Sequence, residues 1–174
     1  MLTSAIRRPV SGAFRRKVLA WLFTILWLSA IGWFSTSAFS AEHTGRILWS
    51  VVHAVWPGIS AQSFDTLHFL IRKTAHFSVY GILSWLAFHS WRATLPGPAR
   101  WSFRWSALAL ALTLAAASLD EFHQTFVPSR TGSPRDVMLD MVGALFVQAL
   151  IVVFAKPLER ETQQSAVSTQ HSAP

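Results

Sequence analysis

SLDEFHQTFVPSRTGSPRDVMLDMVG, residues 118–143, joins two apolar runs through a dense set of ionisable residues. It closes the apolar run WSALALALTLAAASL, residues 105–119, and opens another that reaches Ala155. Between the two stand Asp120, Glu121, His123, Gln124, Arg130, Arg135, Asp136 and Asp140. Asp120, His123 and Gln124 follow i, i+3, i+4 and share a helical face, while Glu121 is rotated about 100° from Asp120. Asp136, Asp140 and Gly143 follow i, i+4, i+7, and the glycine lets another helix approach closely. Acids at the end of so apolar a helix need partners from elsewhere, because an unpaired charge within a span costs about 2.5–3.5 kcal/mol at its centre.

Outward from this stretch the chain is apolar throughout. Its 174 residues suit one domain, and it is 52% hydrophobic but only 13% charged. Soluble domains carry about 25% charged residues, so the balance points to a membrane. Nine tryptophans agree with that, since tryptophan favours membrane–water boundaries. The net charge of +7 is spread between greasy runs rather than along one helix or patch. No nucleic-acid partner is therefore expected. The absence of cysteine excludes disulfides and thiolate metal sites.

Four segments are read as spans: residues 18–41, 74–91, 105–119 and 137–155. Lys73 to Arg92 measures about 28 Å as helix and Asp136 to Lys156 about 30 Å, matching a hydrocarbon core of about 30 Å. Arg104 to Asp120 gives only about 24 Å, so the third helix is expected to run past Asp120. A cleaved signal peptide is the rival for the first segment, since AFS before Ala41 resembles a cleavage site. The run is longer than the about 7–15 apolar residues of a signal core. Lysine and arginine set orientation. Arg7, Arg8, Arg15, Arg16, Lys17, Arg92, Arg100, Arg104, Lys156 and Arg160 fall on one side; Arg46, Arg72, Lys73, Arg130 and Arg135 fall on the other. Both termini are read as cytoplasmic. This divides the chain into a basic cytoplasmic arm (1–17), an all-α four-helix membrane bundle (18–156) and a disordered cytoplasmic tail (157–174).

In the first external connection, GRILWSVVHAVW (residues 45–56) puts Ile47, Leu48, Val51, Val52 and Val55 on one face. It reads as a short interfacial helix ended by Pro57 and Gly58. SFDTLHFLI, residues 63–71, reads as another short helix capped by Ser63. Pro96, Gly97 and Pro98 mark a tight turn between the second and third spans.

Under this topology the unusual polar residues land at one depth, the outer end. Lys73, His76 and Tyr80 share a face by their i, i+3, i+7 spacing. Read as the start of the second span, Lys73 meets an unfavourable helix dipole, as Asp120 and Glu121 do at the end of the third. At least one interhelical ion pair is therefore expected among Lys73, Arg130, Asp120 and Glu121. Plainer readings stand beside the functional ones. Ser133, Pro134 and Asp136 fit a capping box. His76 fits a bundle-internal hydrogen bond, and His123 a boundary residue. Tyr80 lies about 10 Å below Lys73 along a helix, deep for an aromatic belt, which favours an inward hydrogen bond.

RKTAHFSVYGIL (residues 72–83), combined with DEFHQTFVPSRTGSPRDVMLDMVG (residues 120–143), resembles the VanZ-like family. That family's lysine–histidine–tyrosine helix, acid pair with glutamine, Pro-x-Arg loop and helix-opening aspartate map to Lys73, His76, Tyr80, Asp120, Glu121, Gln124, Pro128, Arg130 and Asp136. The chain departs from the pattern at Asp140, where the family usually has asparagine, and at Val147, where it often has glycine. The resemblance implies a multi-pass protein of the bacterial cytoplasmic membrane, linked through its namesake to resistance to the glycopeptide teicoplanin.

Three functions compete. The favoured one is a binding module whose Lys73, Arg130 and Arg135, with backbone donors at the last helix start, hold an anionic lipid or lipid-linked cell-wall precursor. The second is an enzyme pairing His76 with Asp120 or Glu121. No serine or cysteine nucleophile stands in a recognisable setting. His76, His123 and the acids could hold a metal, but no tight two-histidine helix motif such as HExxH is present, and neither a cofactor nor a metal is expected. The third, a transporter, lacks a midplane site or inverted repeat and would need an oligomer.

Overall fold

A computed structural model describes residues 12–98, 100–130 and 132–155. The expectations for Arg7 and Arg8, and for the tail from Lys156 onward, lie outside the described residues. Five α-helices follow in order: α1 (Gly12–Phe34), α2 (Ala41–Val55), α3 (Ala61–Thr94), α4 (Phe103–Gln124) and α5 (Pro134–Ala155), with a 3-10 turn at Ser37–Phe39. Among the described residues there is no strand, as the all-α reading expects.

Hydroxyl residues break the chain where hydropathy alone does not. The first helix ends at Phe34, not at position 41. Thr36 Oγ1 donates to the Trp33 carbonyl at 2.8 Å, and Ser40 Oγ accepts from the His43 amide at 3.3 Å, starting α2. Short polar side chains compete with the helix for backbone groups and favour its caps. α2 then runs to Val55, before Pro57 and Gly58.

Residues 63–71 are not a separate helix. They are early turns of α3, whose cap is Ser60 rather than Ser63: Ser60 Oγ accepts from the Ser63 amide at 3.2 Å. No proline interrupts the sequence from Ala61 to Thr94, so the helix continues for 34 residues. Lys73 consequently lies three turns inside α3, and the dipole penalty assigned to it from the sequence does not apply. α4 does pass Asp120, reaching Gln124.

α3 is the central helix. It packs most extensively on α5, and also on α1 and α4. The α3–α5 contact is backbone-close, because a Cβ on Gly143 would fall on the Phe77 carbonyl. Tyr80, Leu83, Ala87, Phe88, Trp105, Ala109 and Ala117 are buried in the core. So are polar groups that pair across helices: Thr24 Oγ1 with Ser90 Oγ at 2.9 Å, and Gln148 Nε2 donating to Ser84 Oγ at 2.8 Å.

The outside is apolar. Phe14, Phe23, Leu26, Trp33, Phe146 and Phe154 are each at least 50% exposed. Apolar surface on this scale is a liability in water and an asset in lipid. α1, α4 and α5 are each long and apolar enough to cross a membrane. Polar pairs inside and large hydrophobics outside make this a membrane protein.

Candidate functional site

The last turn of α4 divides its acids between two neighbours. Asp120 faces α3: its Oδ2 accepts from Tyr80 Oη at 2.9 Å and from Gln124 Nε2 at 3.0 Å. Glu121, about 100° further round, faces the start of α5. Its Oε2 accepts from the Ser133 amide at 2.7 Å. Both acids oppose the α4 dipole, and each is compensated by donors from its own end of the bundle. Glu121 is only 5% exposed, so the Ser133 bond is a buried, charge-assisted one.

α3 and α5 meet through two pairs one turn apart. Lys73 forms an ion pair with Asp136, and its ammonium also lies 5.4 Å from the centre of the Phe69 ring. Deeper, His76 Nδ1 meets Asp140 Oδ1 at 3.1 Å, with Asp140 fully buried. The expected ion pair thus has a different partner. Lys73 takes Asp136 from α5 rather than Asp120 or Glu121 from α4. The capping box is also rearranged. Ser133 Oγ accepts from the Arg135 amide at 3.2 Å, but the Ser133 amide is taken by Glu121 from another helix. Asp136 is thereby released to hold Lys73.

Arg130 makes no ion pair with Asp120 or Glu121 either. Its guanidinium donates to the Phe34 and Thr36 carbonyls, closing over the exposed C-terminal end of α1. Orphan carbonyls at a helix end are natural acceptors for a cation. His123, on the outer rim, meets Ser35 Oγ through Nδ1 at 3.0 Å.

Below Arg130 a cavity of about 520 Å³ opens between α1, α2 and α3. Its walls are mostly apolar: Ile31, Phe34, Phe39, Ile47, Leu48, Val51, Ile71 and Val79. Its polar lining includes Arg72, His76, Tyr80, Asp120, Gln124 and Arg130, with Ser35, Thr44 and His68. Arg72 Nη1 and Arg130 Nε are buried there and have no hydrogen-bond partner. Burial and the nearby Arg72 charge pull the Arg130 guanidinium below its ordinary pKa, while Asp120 and Glu121 push the other way.

All eight residues singled out from the sequence lie in this region, in three connected groups: Tyr80, Asp120 and Gln124; Lys73 and Asp136 beside His76 and Glu121; and Arg130 at the cavity mouth. Sequence reasoning missed Arg72 as a cavity residue and gave Asp140 no role. The spacing of Arg72 four residues before His76 was available as a signal, since both then face one side of α3. Asp140, one turn after Asp136, was visible, but its partner His76 was not.

Fold and site together define a helical membrane protein whose polar residues are gathered at one end of the bundle beside an amphipathic cavity. The family model described as VanZ/LLP1 matches residues 18–155, and the chain belongs to that family. No curated protein and no solved structure matches the chain.

Proposed function

We propose that the protein binds an anionic amphiphile of the cell envelope, a membrane lipid or a lipid-linked cell-wall precursor. The headgroup meets Arg72 and Arg130, and the hydrocarbon chain enters the cavity beneath α2. The observation that carries this reading is the pair of buried, unpartnered guanidinium nitrogens on residues lining a mostly apolar cavity. Buried donors without acceptors are costly, and a phosphate or carboxylate supplies what two arginine forks lack. α2, with Ile47, Leu48 and Val51 on the cavity, lies in the membrane interface as its lid. α3 serves as the fourth span. The site faces outward, both termini are cytoplasmic, and the membrane is a bacterial cytoplasmic one. Glycopeptides such as teicoplanin act on external cell-wall precursors, so occupancy of this site is the route by which the protein alters their effect.

The test is lipid retention. Full-length protein in nanodiscs of mixed composition is washed, and the retained lipid is identified by mass spectrometry. A basic residue near an anionic surface contributes about 1 kcal/mol, a factor of about five in affinity. Arg72→Ala with Arg130→Ala should therefore weaken retention of anionic species by about 30-fold, with neutral lipid unchanged. Equal retention of anionic and neutral lipid by the wild type refutes the reading. A catalytic alternative rests on His76 and Asp140, whose 3.1 Å contact orients an imidazole beside the same cavity. Turnover of a retained lipid that disappears in His76→Ala would favour it.

A further inference from the structure

On the side of the site where α3, α4 and α5 meet, four groups share one pattern: one atom is committed and one is left over. His76 uses Nδ1 on Asp140, which leaves Nε2. Glu121 uses Oε2 on the Ser133 amide, and its Oε1 is buried without a partner. Asp136 uses Oδ1 on Lys73, which leaves Oδ2. Asp140 uses Oδ1 on His76, and its Oδ2 is also buried without a partner. His76, Glu121 and Asp136 each place a potential ligand atom within 4.8 Å of the other two.

We propose that His76, Glu121 and Asp136 form a site for a divalent transition-metal cation of the zinc class, with Asp140 as the positioning residue behind the histidine. An imidazole with two carboxylates suits such an ion better than magnesium or calcium, which prefer all-oxygen sites. Metal–ligand distances of about 2.0–2.2 Å place donor atoms about 3–3.5 Å apart. The three atoms, within 4.8 Å of one another, must therefore draw together by about 1–2 Å to hold the ion. The second independent sign is the arrangement behind His76. Metal-bound histidines commonly give their other ring N–H to a carboxylate, which fixes the tautomer and the ring plane. Asp140 is placed to do this, and at 0% exposure it has no water to turn to. A third sign is charge. Lys73 pairs with Asp136, and neither Glu121 nor Asp140 has a lysine or arginine partner, so this side of the cluster is short of positive charge. Lys73 holds Asp136 while the ion is away and competes with the ion for it. The inference does not depend on the amphiphile reading, because its atoms are different from Arg72 and Arg130.

The experiment uses full-length protein in detergent, stripped with a chelator and then titrated with Co²⁺ or Zn²⁺. The chain has no cysteine to bind metal by another route. The wild type should retain one equivalent of Zn²⁺ through gel filtration and should show visible Co²⁺ absorption bands that Zn²⁺ abolishes. His76→Ala and Glu121→Gln should each weaken Zn²⁺ binding at least tenfold, and Asp140→Asn by about 10–100-fold, the usual cost of losing an outer-shell partner. Lys73→Met should tighten it. Wild-type protein that shows no Co²⁺ bands and retains no Zn²⁺ overturns the proposal without recourse to any variant. Retention undiminished in both His76→Ala and Glu121→Gln also overturns it.

Discussion

Gly143 gives the sharpest test of how the site is held. A methyl group added there would fall on the Phe77 carbonyl oxygen and crowd the Phe77 Cα, atoms of the neighbouring backbone that cannot rotate aside. α5 must then move away from α3. Overpacking of this kind costs about 1–3 kcal/mol, occasionally more, and the rigid partner puts Gly143→Ala at the upper end, about 3 kcal/mol. Two other glycines calibrate the scale. At Gly81 the added methyl would sit 3.1 Å from Val147 Cγ2 and 3.3 Å from the Gly143 carbonyl, a tight fit needing a shift of tenths of an ångström. At Gly32 nothing lies within 4 Å, so alanine gains helix propensity of up to about 1 kcal/mol. Thermal unfolding of detergent-solubilised protein should rank Gly143→Ala well below Gly81→Ala, with Gly32→Ala at or above the wild type. For a chain of this size 1 kcal/mol shifts the midpoint by about 2–4 °C, so Gly143→Ala should lose about 6–12 °C. Asp140 is one turn away on α5, so the same variant should weaken Zn²⁺ retention. A Gly143→Ala midpoint equal to the wild type, or a larger loss in Gly32→Ala, would refute the close α3–α5 contact.

Three further outcomes follow from the same geometry. Tyr80→Phe and Asp120→Asn should show a double-mutant coupling of about 0.6–1.7 kcal/mol, the range for hydrogen bonds between membrane helices; additivity would mean that the 2.9 Å bond contributes nothing. Lys73→Met should be less stable than Lys73→Met with Asp136→Asn, because the single change strands a carboxylate. The gap should be about 1 kcal/mol, modest because the lysine is a third exposed; equal unfolding midpoints would remove the pair as a stabilising element. Single cysteines at Pro98 and Ser129, both exposed and introduced into a chain free of native thiols, should react with impermeant reagents from opposite sides of the membrane; labelling of both from one side would overturn the proposed topology.

What the sequence made legible was periodic. Helical spacing put Lys73, His76 and Tyr80 on one face and separated Glu121 from Asp120, and the structure uses both features. Length arithmetic extended α4 past Asp120 because 24 Å of helix falls short of a span. Partner choice was not legible. Which acid meets Lys73 depends on the rotation of α5 against α3, and that rotation is fixed by the Gly143–Phe77 approach, a contact between residues 66 positions apart. The starts of helices were misread for a local reason. Ser60 and Ser63 are both good caps, and the choice between them rests on an intervening Ala–Gln pair that carries no periodic signal. Arg72 was counted only as a topological charge, because nothing local announces that α2 folds back to roof a cavity beside it.

Several buried polar atoms around the cavity lack partners, and their arrangement distinguishes this region from a polar layer in which every charge is paired. Arg72 Nη1 and Arg130 Nε, both donors, belong to cavity-lining residues. Asp120, whose Oδ1 is an acceptor, lines the same cavity, while Glu121 Oε1 and Asp140 Oδ2 belong to residues on the α3–α4–α5 side. A layer that only stabilised the bundle would let these opposite charges meet, since buried groups left unpaired cost more than paired ones. Here Arg130 forms no ion pair with Asp120 or Glu121, although both acids act on its charge. Arg130 is drawn to the carbonyls at the end of α1, and Glu121 to the first amide before α5. Each of these contacts commits part of the side chain and leaves another atom, Arg130 Nε or Glu121 Oε1, buried without a partner. Holding charged groups in unpaired positions is what a preorganised binding site does: the folding energy of the scaffold covers the cost before the ligand arrives. An anion beside the arginines and a cation among the acids would each complete one of these incomplete sets of partners.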